Sequence, residues 1–156
     1  MPLTFSGGVN TTPTFNNTPS VVITPVEITP LPISTLPIKN LIDALIYVES
    51  RGKDSAIGDT HLTEPSVGVL QIRPIMVREV NRILKKQGEV YRFKLKDRFN
   101  RQKSINMFMV WKDYHHPNDE LEKIARNWNG GPRGYRYNRT LQYWVKVQKQ
   151  LKKYND

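Results

Sequence analysis

From Ile38 onward the apolar positions fall at helical spacing. Ile38, Leu41, Ile42, Leu45 and Ile46 recur at i, i+3, i+4, i+7 and i+8, which predicts an amphipathic helix with one inward stripe. Pro37 suits its first turn and Gly52 its end. The period then vanishes. Residues 53–66 read K-D-S-A-I-G-D-T-H-L-T-E-P-S, a loop or a short twisted hairpin with Gly58-Asp59 as the turn. A second helix is predicted over 73–87, with Pro74 near its start, Ile75, Met76, Val80, Ile83 and Leu84 inward, and Gly88 as the stop. Tyr91, Phe93 and Leu95 alternate with Arg92, Lys94 and Lys96. That is a period of two, compatible with a strand or with a docked loop. A third helix is predicted over 101–114, burying Ile105, Phe108, Met109 and Trp111. Asn118 reads as the N-cap of a fourth, with Asp119 and Glu120 at its positive end and Leu121, Ile124, Ala125 and Trp128 inward. The run N-W-N-G-G-P at 127–132 is a sharp turn, followed by a polar loop holding Tyr135 and Tyr137. A last helix from Thr140 buries Tyr143 or Trp144, Val147 and Leu151, and ends in Lys152-Lys153. The expected class is mainly α: a helical domain with a small irregular or β-hairpin region.

Residues 1–37 follow another grammar. Pro2, Pro13, Pro19, Pro25, Pro30, Pro32 and Pro37 punctuate them among eight threonines, and Glu27 is the sole charge. Proline removes a backbone donor and pushes its predecessor toward extended geometry. The pattern predicts an extended Pro/Thr-rich arm over 1–37 and a folded domain over 38–156. The arm is either a linker or a tether that docks on a partner through Val21, Val22, Ile23, Val26, Ile28, Leu31 and Ile33.

Charge narrows the partners. The chain carries a net +10, and beyond residue 37 it holds 24 basic against 13 acidic residues. Such a domain expects an anionic partner: nucleic acid, a membrane surface or a cell-wall polymer. There is no cysteine, so neither a disulfide framework nor a thiolate metal site is expected. His61, His115 and His116 stand at no metal-ligand spacing, and neither a metal nor a cofactor is expected. No apolar run approaches the ~20 residues of a membrane span. The N-terminus lacks the basic region and the apolar core of about 7–15 residues that mark a standard signal peptide.

The candidate chemistry centres on Glu49, which stands where the first apolar helix runs out. Apolar neighbours disfavour an ionised carboxylate and lift its pKa toward neutrality, which makes a general acid. An ordinary glutamate titrates near 4.3, and service as an acid near pH 6 requires a rise of about 1.7 units, or roughly 2.3 kcal/mol. Ile46, Val48, Ile72 and Trp128 are candidates for the apolar wall.

Four segments fall in a recurring order: Glu49-Ser50; Gly68-Val69-Leu70-Gln71-Ile72 followed by Pro74; Ala125 with Trp128-Asn129-Gly130-Gly131-Pro132; and Thr140, Tyr143, Lys146 and Val147. Together they resemble the lysozyme superfamily, most closely the catalytic domain of soluble lytic transglycosylases, over about residues 38–152. The resemblance implies a lysozyme-like α+β fold and cleavage of the MurNAc–GlcNAc β-1,4 bond of peptidoglycan. Glu49 would be the catalytic acid and then base, giving a 1,6-anhydro product. Gln71, Trp128, Asn129, Gly130 and Tyr143 would bind the glycan strand or face Glu49. Each has a plainer reading: a loop-stabilising amide for Gln71, a helix–helix turn for Asn129 and Gly130, core aromatics for Trp128 and Tyr143.

The resemblance leaves the subclass open. Ordinary glycoside hydrolases use two carboxylates, and related lysozymes often place an aspartate just before the Gly-x-x-Gln segment. Pro65-Ser66-Val67 supplies none there, which favours the transglycosylase, but Asp59 and Glu64 in the same loop keep a muramidase open. The 22-residue gap from Glu49 to Gln71 is also closer to that of true lysozymes. The expected setting is a phage enzyme, virion-associated or delivered to the bacterial periplasm or cell wall, with the arm docked on a virion or envelope protein. Nucleic acid is not the expected partner of that reading. A non-catalytic basic module that holds wall polymer or nucleic acid is the alternative from another class.

Overall fold

The computed structural model describes residues 36–154. The arm expected over 1–37 lies outside the described residues, except that Leu36 and Pro37 open the first helix. Five helices follow in order: α1 Leu36–Ser50, α2 Pro74–Lys86, α3 Arg101–His115, α4 Leu121–Gly130 and α5 Leu141–Leu151. Between α1 and α2 stands a two-stranded antiparallel hairpin, β1 Ile57–Gly58 and β2 Ser66–Val67, in the register Ile57↔Val67 and Gly58↔Ser66. The domain is thus mainly helical with one small sheet, as the sequence pattern predicts. No helix among the described residues is long and apolar enough to cross a membrane.

The predicted stripe of α1 is the centre of the core. Leu41, Ala44 and Leu45 are wholly enclosed, with Ile42 and Ile46 nearly so. They pack chiefly on α5, through Tyr143 and Val147, and also on α4. Leu70, Ile72, Met107, Phe108 and Ile124 complete the same cluster. Each such side chain contributes roughly 1.5–3 kcal/mol of burial. Helix α1 ends when Arg51 and Gly52 turn left-handed, at φ 56° and 78°, and the Gly52 amide reaches back to the Ile46 carbonyl.

The hairpin is fastened below by a buried guanidinium. Arg98 donates through Nη1 to the carbonyls of Ile72 and Pro65, at 2.9 and 3.1 Å, and through Nε to that of Leu95. Gly68, at φ 81°, lies so close to the Arg98 carbonyl that a Cβ would overlap it. On the other side the Ser50 hydroxyl donates to the Val69 carbonyl at 2.9 Å, tying the hairpin's exit to the end of α1.

Three local expectations need correction, and one open alternative is decided. Ile75 is 61% exposed, and Val77 takes the inward position instead, because Val77, Val80 and Leu84 follow one another at three and four residues on one face, whereas Ile75 stands five before Val80 and off it. Residues 90–94 form no strand and lead into a 3-10 turn over Leu95–Phe99. They are a docked loop: Asn81 clamps Phe93 by accepting from its amide and donating to its carbonyl, at 2.8 and 2.9 Å. Asn118 is no cap, since α4 starts at Leu121 after Glu120. Gly58 is paired with Ser66 inside β1, so the reversal begins at Asp59 rather than across the Gly58-Asp59 pair.

Candidate functional site

Glu49 is the penultimate residue of α1 and Tyr143 the third of α5. The packing of those two helices brings them together across 94 residues of chain. The Tyr143 hydroxyl donates to Glu49 Oε1 at 2.6 Å, the short range of a bond to a carboxylate. Tyr143 is buried and Glu49 half-buried. Loss of water raises the Glu49 pKa from the ordinary 4.5 to about 7. Tyr143 works against that rise by stabilising the ionised form, and the negative charge of Asp59 adds to it. Burial and the Glu49 charge hold the Tyr143 phenol well above its usual 10, so it remains a donor. A carboxyl that titrates near 7 exchanges protons in both directions at neutral pH, the requirement for one group acting as acid and then base.

The two other acidic candidates separate. Asp59 opens the hairpin loop in a left-handed conformation, φ 50°, with its carboxylate exposed and close enough to bias Glu49. Its Oδ2 lies 3.0 Å from the Ser66 hydroxyl. Glu64 is engaged elsewhere: both oxygens accept from Arg78 at 3.2 Å, which lowers its pKa and leaves it on the exposed face of α2.

Gln71 belongs to the hairpin's own frame. Its Nε2 donates to the Gly68 carbonyl at 2.9 Å and more weakly to that of Ala56 at 3.4 Å. Its Oε1 lies 3.0 Å from the same Ser66 hydroxyl that faces Asp59. One hydroxyl proton thus stands between two acceptors, and Gln71 is linked to Asp59 through Ser66. This is the loop-stabilising arrangement.

The Asn-Gly-Gly corner is built from residues beside the expected ones. Trp128 sets its ring against Phe108 and Trp111, each at 5.0 Å between centroids, so it packs with the core aromatics. Asn129 is exposed, and the Gly130 carbonyl accepts from Arg139 at 3.3 Å. Asn127 holds the corner's shape, its Oδ1 accepting from the Tyr135 amide at 2.8 Å. Gly131 ends α4 at φ 84°, a conformation that suits glycine.

Beneath the corner Arg126 is buried. It donates to Thr140 Oγ1 and Glu122 Oε1, both at 2.8 Å, and to the Tyr137 carbonyl at 3.2 Å. Asn127 and Arg126 escaped the sequence reading. The Glu122–Arg126 spacing of i, i+4 was the one available signal for the second.

A separate groove of about 720 Å³ runs between the start of α2, the end of α3 and residues 131–136. Ile75, Met76 and Trp111 give it an apolar floor. Two histidine–carboxylate pairs wall it: His115 with Glu79 and His116 with Asp119, each at 2.7 Å. Among the described residues no three histidines or carboxylates converge as a metal site.

No protein-family model matches this chain, and no curated protein matches it in sequence.

Proposed function

We propose that this domain is a lytic transglycosylase that cleaves the MurNAc–GlcNAc β-1,4 bond of peptidoglycan. The observation that carries the reading is Glu49, dry enough to titrate near 7 and held by the Tyr143 hydroxyl at 2.6 Å. Protonated Glu49 gives its proton to the glycosidic oxygen as the bond to C1 breaks. The resulting carboxylate takes the proton of the MurNAc 6-hydroxyl as O6 bonds to C1. The 1,6-anhydro sugar forms, Glu49 regains its proton, and no water is consumed. Tyr143 keeps the carboxylate oriented between the two transfers. The net basic charge of the domain suits an anionic wall polymer. A virion or envelope protein as the partner of the arm, and a virion or periplasmic setting, belong to the same proposal.

Asp59 favours a second reading, a muramidase. Its charge reaches Glu49 from the hairpin, and two carboxylates across a scissile bond are the equipment of a hydrolase. Product masses after digestion of purified peptidoglycan decide. Anhydro ends, lighter by one water than reducing ends, are expected; reducing ends alone would replace the transglycosylase with the hydrolase. Salt-sensitive binding without any cleavage would reject both and leave a non-catalytic binding module.

A further inference from the structure

The groove between α2, α3 and residues 131–136 differs from the Glu49 site in the state of its charges. Its two acidic groups are answered from within. Glu79 accepts from Arg82 and His115, and Asp119 from Lys123 and His116. Two of its cations are not. Arg133 and Arg136 make no side-chain hydrogen bond and no ion pair among the described residues, and both are exposed on the groove's lip. They are held there by local structure. Gly131 turns the chain out of α4, and a 3-10 turn over Gly134–Arg136 follows, locked by Asn127 on the Tyr135 amide. The free charge of the groove is therefore positive, above an apolar floor of Ile75, Met76 and Trp111.

Such a groove suits an extended ligand with small apolar side chains and more than one carboxylate. A neutral sugar chain would leave both guanidinium groups without a partner, whereas carboxylates match their paired donors. The groove also lies near the hairpin. Ile75 follows Gln71 by four residues, a reach of at most roughly 14 Å along the chain. We propose that this groove seats an acidic peptide and, resting on the reading above, that the peptide is the stem carried by the MurNAc units of the strand being cut. Arg133 and Arg136 bind its carboxylates, and Ile75, Met76 and Trp111 receive its alanyl methyl groups.

Two measurements test this and keep it apart from the enzymatic reading. The first is titration of the full-length Glu49→Gln variant with a synthetic L-Ala–D-Glu–diaminopimelate–D-Ala tetrapeptide, followed by amide and indole NMR shifts. Saturable shifts at Trp111 and Met76 are expected, with affinity at least tenfold weaker in an added Arg133→Ala/Arg136→Ala background. Absence of binding, or binding indifferent to the two arginines, overturns the proposal. The second is turnover of intact peptidoglycan against strands stripped of peptide by an amidase. Arg133→Ala/Arg136→Ala should lower kcat/KM at least tenfold more on intact than on stripped material, and an equal loss on both overturns the proposal. If the unmodified protein cuts neither polymer, the enzymatic reading falls, and the titration alone still decides whether an acidic peptide binds.

Discussion

Glu49 and Glu79 are the same side chain in opposite circumstances. Glu49, at the junction of α1 and α5, is bonded by a neutral phenol and largely cut off from water, and its pKa rises to about 7. Glu79, on the groove side of α2, is bonded by the Arg82 guanidinium at 2.7 and 2.8 Å and by His115 at 2.7 Å, and its pKa falls to about 2. Both have a good hydrogen bond, so the bond itself does not explain the difference. The charge of the donor and the access of water do. A phenol can hold a carboxylate in place without committing it to ionisation, whereas a guanidinium commits it. Of the two, only Glu49 retains a proton to give at neutral pH.

That contrast can be broken most severely by exchanging the acids for amides. Glu49→Gln should lower turnover of peptidoglycan by about 10²–10⁴-fold with an unchanged circular dichroism spectrum. Glu79→Gln should leave turnover within about twofold. If the second substitution silences the protein and the first does not, the acid has been placed at the wrong end of the molecule.

Stability against pH gives the next largest effect. The Glu49 pKa is raised on folding, so its contribution is intact below pH 4.5 and is lost as pH rises through 7. The loss is on the order of 3 kcal/mol. Glu49→Gln should therefore gain stability over the unmodified protein at pH 8 and little at pH 4.5, read from urea denaturation at both. An equal difference at the two pH values would show that Glu49 meets water freely.

Tyr143→Phe refines the role of the phenol. The hydroxyl holds the Glu49 pKa down, so its removal should move the alkaline limb of the pH–rate profile upward. A loss of order tenfold in kcat should accompany the shift through lost orientation. An unmoved limb would mean that the two groups part in solution. The smallest effect belongs to the ion pairs of Glu79. Its stabilisation is present above pH 4.5 and lost as pH falls through 2. Because it sits at a wet surface, Glu79→Gln should cost less than about 1 kcal/mol at pH 7 in the same denaturation assay.

The apolar stripes of α1 and α5 were legible because each repeats at helical spacing, closed by Gly52 in the first and running on into Lys152-Lys153 in the second. Glu49 and Tyr143 were legible as members of an ordered set of short segments, while the packing of α1 on α5 that joins them is visible only in the fold. Ile75 departs from the expected stripe because it stands five residues before Val80, whereas Val77 stands three before it and shares its face. The alternation at Tyr91, Phe93 and Leu95 was half a signal: only Phe93 is buried, and a side chain from another helix, Asn81, satisfies its backbone. Arg98 and Arg126 left little trace in the pattern. A buried guanidinium needs carbonyls or hydroxyls collected from distant parts of the chain, and that collection exists only after folding. Gln71 carries the same lesson, since its amide was recognisable but its partners, Gly68, Ala56 and Ser66, assign it to the hairpin.

The seam between Gly68 and the Arg98 carbonyl has a mechanical consequence. With the guanidinium gripping the hairpin at Pro65 and Ile72, and Ser50 gripping Val69, the segment 65–72 that bears Gln71 is clamped from two sides. It is an anvil rather than a flap. On the proposed reading, a glycan strand brought to Glu49 would conform to a surface already set, and the bending needed to reach the carboxyl would fall on the strand.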